Sequence, residues 1–195
     1  MMKHMIEQEN DNEIFQQVDF SKEQLAGCEF IECRFVNCSF SASDLTDTDF
    51  LDCSFEDCDF TLVKLNATGL KDVCFKRCKL MGFDFTLCSD FLFQVEFDVC
   101  QLDYALFTKK KMKKTTFRQC SLVECDFTEC QLTESVFDDC ILTGSTFYRS
   151  GLTKADFRTA IGFSIDPDQN HLKKARFSQA GLAGLLEKYD LRIEA

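Results

Sequence analysis

The chain has 195 residues, 45% of them hydrophobic, which is enough for one domain with a real core and too apolar for disorder. It carries 22 Phe and 13 Cys but no Trp and a single Pro, and 33 Asp and Glu against 22 Lys and Arg leave a net charge of −11. That balance argues against direct nucleic-acid binding and favours a basic partner surface, while no apolar run reaches the roughly 18 residues that a membrane span needs.

Residues 1–14 read as a flexible N-terminal segment. Met1 to Glu13 is charged and lacks the apolar stretch of a secretory signal, so a cytoplasmic location is expected. From Phe15 every fifth residue is Phe or Leu, through Phe20, Leu25, Phe30 and onward to Leu80 and Phe85. A second register, two residues before each of these, holds compact side chains such as Cys33, Cys38, Ser43, Thr48, Cys53 and Cys58. The other three registers are mostly polar. A period of five fits neither an α-helix nor an isolated strand. It fits a chain that turns a corner every five residues, with two side chains per side pointing inward. Four such sides close a square coil, and coils stack at the ~4.8 Å strand spacing.

Residues 41–60 make one acidic belt, with Asp44, Asp47, Asp49, Asp52, Glu56, Asp57 and Asp59 and no Lys or Arg. After Phe85 the frame gains two residues, in 86–91, and resumes at Leu92. A bulge is expected there, with Phe91 outside or wedged into it. The repeat then runs from Leu92 through Phe97, Leu102 and Phe107 to Leu152 and Phe157, broken only by Met112. Beside Met112 stands the basic cluster Lys109, Lys110, Lys111, Lys113 and Lys114, a candidate docking loop for an acidic patch or phosphate. Lys110 falls on an inward register that a dry core does not accept unpaired, so the wall is expected to bow and let it reach solvent. A second acidic belt follows, with Glu124, Asp126, Glu129, Glu134, Asp138 and Asp139.

The pattern stops after Phe157. Residues 161–168, with Pro167, read as a closing turn, and Leu172 to Phe177 as a short extended stretch. Ser178 is placed to cap an amphipathic helix over 179–189, with Leu182, Leu185, Leu186 and Tyr189 on one face. Leu191 and Ile193 alternate like a strand. A stacked coil ends in unpaired backbone and an open core, so 158–195 is expected to cap it and to join two copies.

Twelve of the thirteen Cys sit on the inward register, Cys88 among them in the frame before the slip, and read as small buried hydrophobes. Cys74 faces outward as a modifiable thiol. No nucleophile–base constellation, glycine-rich phosphate loop or metal-ligand spacing is present, so no catalytic residue, metal or cofactor is expected.

Quintets such as Cys33-Arg34-Phe35-Val36-Asn37 and Cys58-Asp59-Phe60-Thr61-Leu62 resemble the pentapeptide-repeat family over residues 15–157. The resemblance implies an all-β fold, a right-handed quadrilateral β-helix of about seven coils, with a short C-terminal helix and strand. With its slip, Lys-rich stretch and C-terminal segment, the chain most resembles the microcin immunity protein and, more loosely, the Qnr quinolone-resistance proteins. That resemblance implies a non-enzymatic homodimer, joined through the C-terminus, that engages DNA gyrase or topoisomerase IV by DNA-like shape and charge and relieves poisoning by a drug or microcin. The alternative is a generic cytoplasmic interaction scaffold.

Overall fold

The computed structural model describes residues 6–192. It is a right-handed, four-sided parallel β-helix of about eight turns. Two sheets are formed by short strands that pair only with their counterparts one turn away. One runs through Glu9–Asp11, Glu29–Ile31, Asp49–Leu51 and Gly69–Lys71. The other has nine strands, from Ile14–Gln16 to Arg176–Phe177. Pairing keeps a register of 20, as in Phe15 with Phe35 and Phe35 with Phe55.

Each wall takes its name here from the order in which the chain meets it. The centres of wall one include Asn10, Phe30, Phe50 and Leu70; those of wall two, Phe15, Phe35, Phe55 and Phe75. Wall three is centred on Phe20, Phe40, Phe60 and Leu80, and wall four on Leu25, Leu45, Leu65 and Phe85. All of these side chains are buried. Wall two carries nine Phe, from Phe15 to Phe177, as one column of near-parallel rings with centroids 4.6–5.5 Å apart. Ring spacing therefore follows the strand spacing, and the rings of adjoining walls meet edge to face, as Phe35 meets Phe40 at 5.4 Å.

The corners explain the polar registers. The residue two after most wall centres has a positive φ, among them Asn37 at 53°, Asp52 at 53° and Asp57 at 55°. Asn and Asp tolerate the left-handed region better than most residues, because a short polar side chain can bond locally. Many corners also close an i-to-i+3 bond, such as Cys28 N–H to the Leu25 carbonyl at 2.9 Å.

The inward residue two before many of the centres does more than fill space. Thr48 Oγ1 donates to the Leu25 carbonyl at 2.8 Å, Cys53 Sγ to Phe30 at 3.3 Å, and Ser135 Oγ to Met112 at 2.6 Å. Each donor reaches the centre carbonyl 23 residues earlier, in the coil before. This accounts for Cys, Ser and Thr where a purely apolar core would have taken Ala or Val.

Four sequence expectations change. The coil extends past 15–157 at both ends, because Glu9–Asp11 pairs with Glu29–Ile31 and Arg176–Phe177 pairs with Asp156–Phe157. Its end turns escape the Phe/Leu pattern because Asn10 stands at a centre, and because Gly162 and Pro167 follow Phe157 at the step of five. Asn10 and, on the compact register, Asn170 bond backbone carbonyls through their side-chain amides. Leu92 is not a core centre: it is 64% exposed at a positive φ of 54°, and Phe93 packs inward in its place. The C-terminal helix is two 3-10 segments, Ala180–Leu185 and Glu187–Tyr189, rather than an α-helix. Ser178 does accept the Gly181 N–H there at 3.1 Å. Leu191 is exposed outside any strand, and Ile193 lies outside the described residues.

Candidate functional site

The acidic belts do not stand alone on the surface. A residue 20 to 22 positions away lies in the neighbouring coil, and the belts meet bases there. Glu56 is bonded by Arg34 at 2.8 Å and Arg77 at 2.6 Å, which hold its carboxyl down at about 2. Asp57 also takes Arg77, Asp49 takes Lys71 at 2.9 Å, and Asp59 lies 3.7 Å from Lys79. In the second belt Glu129 lies 3.9 Å from Lys109, Glu134 pairs with Lys154 at 2.8 Å, and Asp138 lies 3.9 Å from Arg118. Asp44 and Asp126 each accept a backbone N–H two residues on, from Thr46 and Thr128. Asp47, Asp52, Glu124 and Asp139 project into solvent from corner positions. The period of 20 carried this information: a belt without bases can be neutralised by bases one coil away.

The bulge and the lysine cluster prove to be one feature. Ser89 N–H still bonds the Thr68 carbonyl and Gln94 N–H the Leu70 carbonyl, so residues 90–93 leave the wall between them. Lys110 does not reach solvent. It is 2% exposed, and its ammonium bonds the Cys88 carbonyl at 2.7 Å and Asp90 Oδ1 at 2.6 Å, with the Phe93 ring 4.9 Å away. The expectation of an outward Lys110 fails because the bulge supplies the partners that a dry core lacks. Phe91 is 67% exposed and lies over wall one, with the Lys71 ammonium 5.7 Å from its ring. The two extra residues are absorbed here, since Phe75 and Phe97 on wall two pair in register.

Wall one, with the corner leading into it, is polarised along the rod. In the four coils before the bulge Glu9, Asp11, Glu29 and Glu32 stand on it, none of them buried. Asp47, Asp49, Asp52 and Asp72 continue the run, against the single cation Lys71. In the four coils after it stand Lys109, Lys111, Lys113 and Lys114, then Arg149, Lys154, Lys173 and Lys174. Only Glu129 and Glu134 oppose them. Of those cations, Lys111, Lys113, Lys114, Arg149, Lys173 and Lys174 make no ion pair among the described residues. The other walls show no such division; wall two, for example, alternates Glu56, Lys76, Asp98, Arg118 and Asp138 along one column.

Two apolar patches are exposed away from the bulge among the described residues. One joins Leu62, Met81 and Leu87 around a shallow depression lined by Val63, Phe83 and Asp84. The other lies on the C-terminal segment. There Leu182, Leu186, Tyr189 and Leu191 face solvent, while Leu185 packs onto the core. The expected single face is thus divided between capping and display.

All thirteen thiols are free, twelve buried and Cys74 exposed. Burial pushes Cys88, Cys125 and Cys130 up to about 12. Among the described residues no group of three or more His, Cys, Asp or Glu could hold a metal ion, and no helix is long and apolar enough to cross a membrane.

In sequence, residues 28–107, 48–126 and 90–177 each match a family model described as a pentapeptide repeat region. No curated protein matches the chain in sequence. In structure it is similar to a trypsin-treated variant of QnrB1, a plasmid-mediated fluoroquinolone resistance protein, at 23% identity and a TM-score of 0.50, over 96% of this chain and 92% of that one. It is also similar to HetL, a pentapeptide repeat protein involved in heterocyst differentiation regulation from the cyanobacterium Nostoc sp. strain PCC 7120. That pair share 10% identity and a TM-score of 0.51, each chain covered over 91%. These likenesses are of fold.

Proposed function

The chain belongs to the pentapeptide-repeat family, and from that premise we propose that it is a non-enzymatic protein that binds a type II topoisomerase, DNA gyrase or topoisomerase IV, and shields it from a drug or microcin. The observation that carries this reading is the acidic half of wall one. Eight carboxylates there project from four stacked coils on a straight rod, Asp49 among them paired with Lys71. Four coils span roughly 15–20 Å, so the net of seven charges gives one per about 2–3 Å, approaching the ~1.7 Å of duplex DNA. A basic groove shaped for DNA would meet a similar field on a similar diameter. The belts at Glu56 and Asp57 contribute less, because Arg34 and Arg77 already neutralise them. QnrB1, of like fold, confers fluoroquinolone resistance, which agrees with this class of action. The reading includes a homodimer through the C-terminal segment, for which the exposed Leu182, Leu186, Tyr189 and Leu191 supply the apolar surface.

The test is a supercoiling assay with purified gyrase and a quinolone, adding wild-type protein or the variant with Glu32, Asp52 and Asp72 changed to Lys. Protection by the wild type and its loss in the variant are expected. Unchanged inhibition at saturating wild-type protein would refute the proposal. One observation favours a second reading, that of a general interaction scaffold: the exposed cluster of Leu62, Met81 and Leu87 is apolar and has no counterpart in DNA. A pull-down in which topoisomerase subunits are absent and Leu62→Ser abolishes the dominant prey would support it.

A further inference from the structure

We infer that wall one is a self-complementary surface on which a second copy of this chain docks antiparallel, through contacts separate from the C-terminal segment and independent of any topoisomerase. The argument begins with position. The bulge divides wall one into four coils centred on Asn10, Phe30, Phe50 and Leu70 and four centred on Met112, Leu132, Leu152 and Leu172. Taken together the first four are acidic and the last four basic, with the coil of Leu132 the exception through Glu129 and Glu134, although the whole chain is at −11. A uniform polyanion would be drawn to one half and repelled by the other. A uniform polycation would meet the same conflict in reverse. The partner that suits both halves carries the same two charges in the opposite order along a rod of the same length.

A second copy supplies that order. A half-turn about an axis lying across the wall at the bulge reverses the rod and brings each column of side chains against itself. Asp72 then faces Lys114 of the second copy, Glu32 faces its Lys154, and Asp11 faces its Lys173. Three like-charged meetings arise, Lys71 with Lys113, Asp52 with Glu134 and Asp47 with Glu129. In each, one side chain is already paired on its own copy, Lys71 with Asp49 at 2.9 Å, Glu134 with Lys154 at 2.8 Å and Glu129 with Lys109 at 3.9 Å. At the axis the bulges meet, and each presents Phe91 and Leu92, 67% and 64% exposed. An apolar centre with a charged rim is the usual anatomy of a protein interface.

The wall is about 40 Å by 10 Å, so the flat area covered is on the order of 400 Å² per copy, in the range of weak, reversible contacts. Charge supplies most of the specificity, so the association is salt-sensitive.

The experiment is sedimentation velocity in a Leu182→Asp/Leu186→Asp background, which removes the exposed leucines of the C-terminal contact. Dimers are expected at low salt and monomers once ionic strength approaches ~0.5 M, where screening shortens to a few ångströms. One variant carries Lys114→Glu with Lys154→Glu, and another Glu32→Lys with Asp72→Lys. These four sites are surface corners with positive or near-corner backbone that already accept Lys or Glu elsewhere in the coil, so circular dichroism should be unchanged. Each variant alone should associate at least about tenfold more weakly than its parent, and mixing them should restore a one-to-one heterodimer. A mass independent of salt in the Leu182→Asp/Leu186→Asp background, or a mixture that stays monomeric, would overturn the inference. Monomers that bind heparin through the basic half would also overturn it, and would assign that half to a polyanion.

Discussion

The ammonium of Lys110 stands 2.7 Å from the carbonyl oxygen of Cys88, 22 residues earlier and one coil before it. That contact joins two irregularities that look unrelated in sequence, an insertion after Phe85 and a lysine on a core register. Where residues 90–93 leave the wall, the Cys88 carbonyl faces the interior, and the lysine supplies the donor. Asp90, on the bulge itself, balances the charge at 2.6 Å.

Replacing Lys110 therefore costs more than its place beside an exposed loop would indicate. Lys110→Met keeps most of the volume but leaves the Cys88 carbonyl buried without a donor, a loss of about 1–3 kcal/mol. Lys110→Ala adds a cavity and should cost more. Asp90→Asn should be mild, because the Asp90 side chain is 75% exposed. Urea unfolding with equal m-values checks the series, and a Lys110→Met loss below about 0.5 kcal/mol would show that the carbonyl finds water instead.

The inward hydroxyls offer a paired comparison. Ser150 Oγ donates to the Phe127 carbonyl at 2.7 Å, whereas Ser43 Oγ is buried with no hydrogen-bond partner. The carbonyl that the pattern assigns to Ser43 belongs to Phe20, which opens the 3-10 turn Phe20–Lys22. Ser150→Ala should thus lose about 1 kcal/mol, while Ser43→Ala should leave stability unchanged or raise it. Thermal unfolding of the two variants decides the matter, and equal losses would contradict the assignment.

Much of this architecture was legible in sequence because a period of five has few physical solutions. Phe15 to Phe85 announced the wall centres, and the slip before Leu92 announced a bulge. The end turns were hidden because Asn10 replaces an apolar centre with an amide that bonds backbone, and because past Phe157 the step of five meets Gly162 and Pro167. Lys110 was misplaced because its partners, Cys88 and Asp90, become neighbours only once the coil closes. The acidic belts were read along the chain, whereas Arg77 and Lys79 neutralise Asp57 and Asp59 across it. The charge division of wall one appears only when every twentieth residue is read together.

Thiol chemistry should report folding and set an alkaline limit. Cys74 alone is exposed, so Ellman's reagent should modify about one thiol in the native protein and all thirteen after denaturation. Burial raises Cys88, Cys125 and Cys130 to about 12 from 9.0. Above pH 9 the unfolded chain loses those protons while the folded one keeps them. Fewer protons on the unfolded state mean that stability falls as pH rises, by up to about 4 kcal/mol per unit for three such thiols between pH 9 and 12. Stability should be flat with respect to these groups below pH 8. Replacing the three by Ser should shallow the alkaline limb of a pH-dependent urea titration. An unchanged limb would assign it to other groups.

The C-terminal segment separates capping from association. Gly184 packs so closely on Phe163 that an added Cβ would lie 2.2 Å from the Phe163 carbonyl oxygen, and the Gly184 carbonyl accepts the Ile165 N–H at 2.9 Å. Leu185 follows onto the core, whereas Leu182 and Leu186 point to solvent. Gly184→Ala should therefore lift the cap, expose the last coil and lower the melting temperature by several degrees, roughly what 1–2 kcal/mol produces in a domain of this size. Leu182→Asp with Leu186→Asp should leave the monomer's stability nearly unchanged, since exposed leucines lose little on becoming polar. If the exposed leucines join two copies end to end, the same double variant should halve the mass seen by light scattering at high salt, where charged wall contacts are screened. A mass that stays dimeric there would mean that the leucines do not form the joint, and a large loss of stability would mean that they belong to the cap.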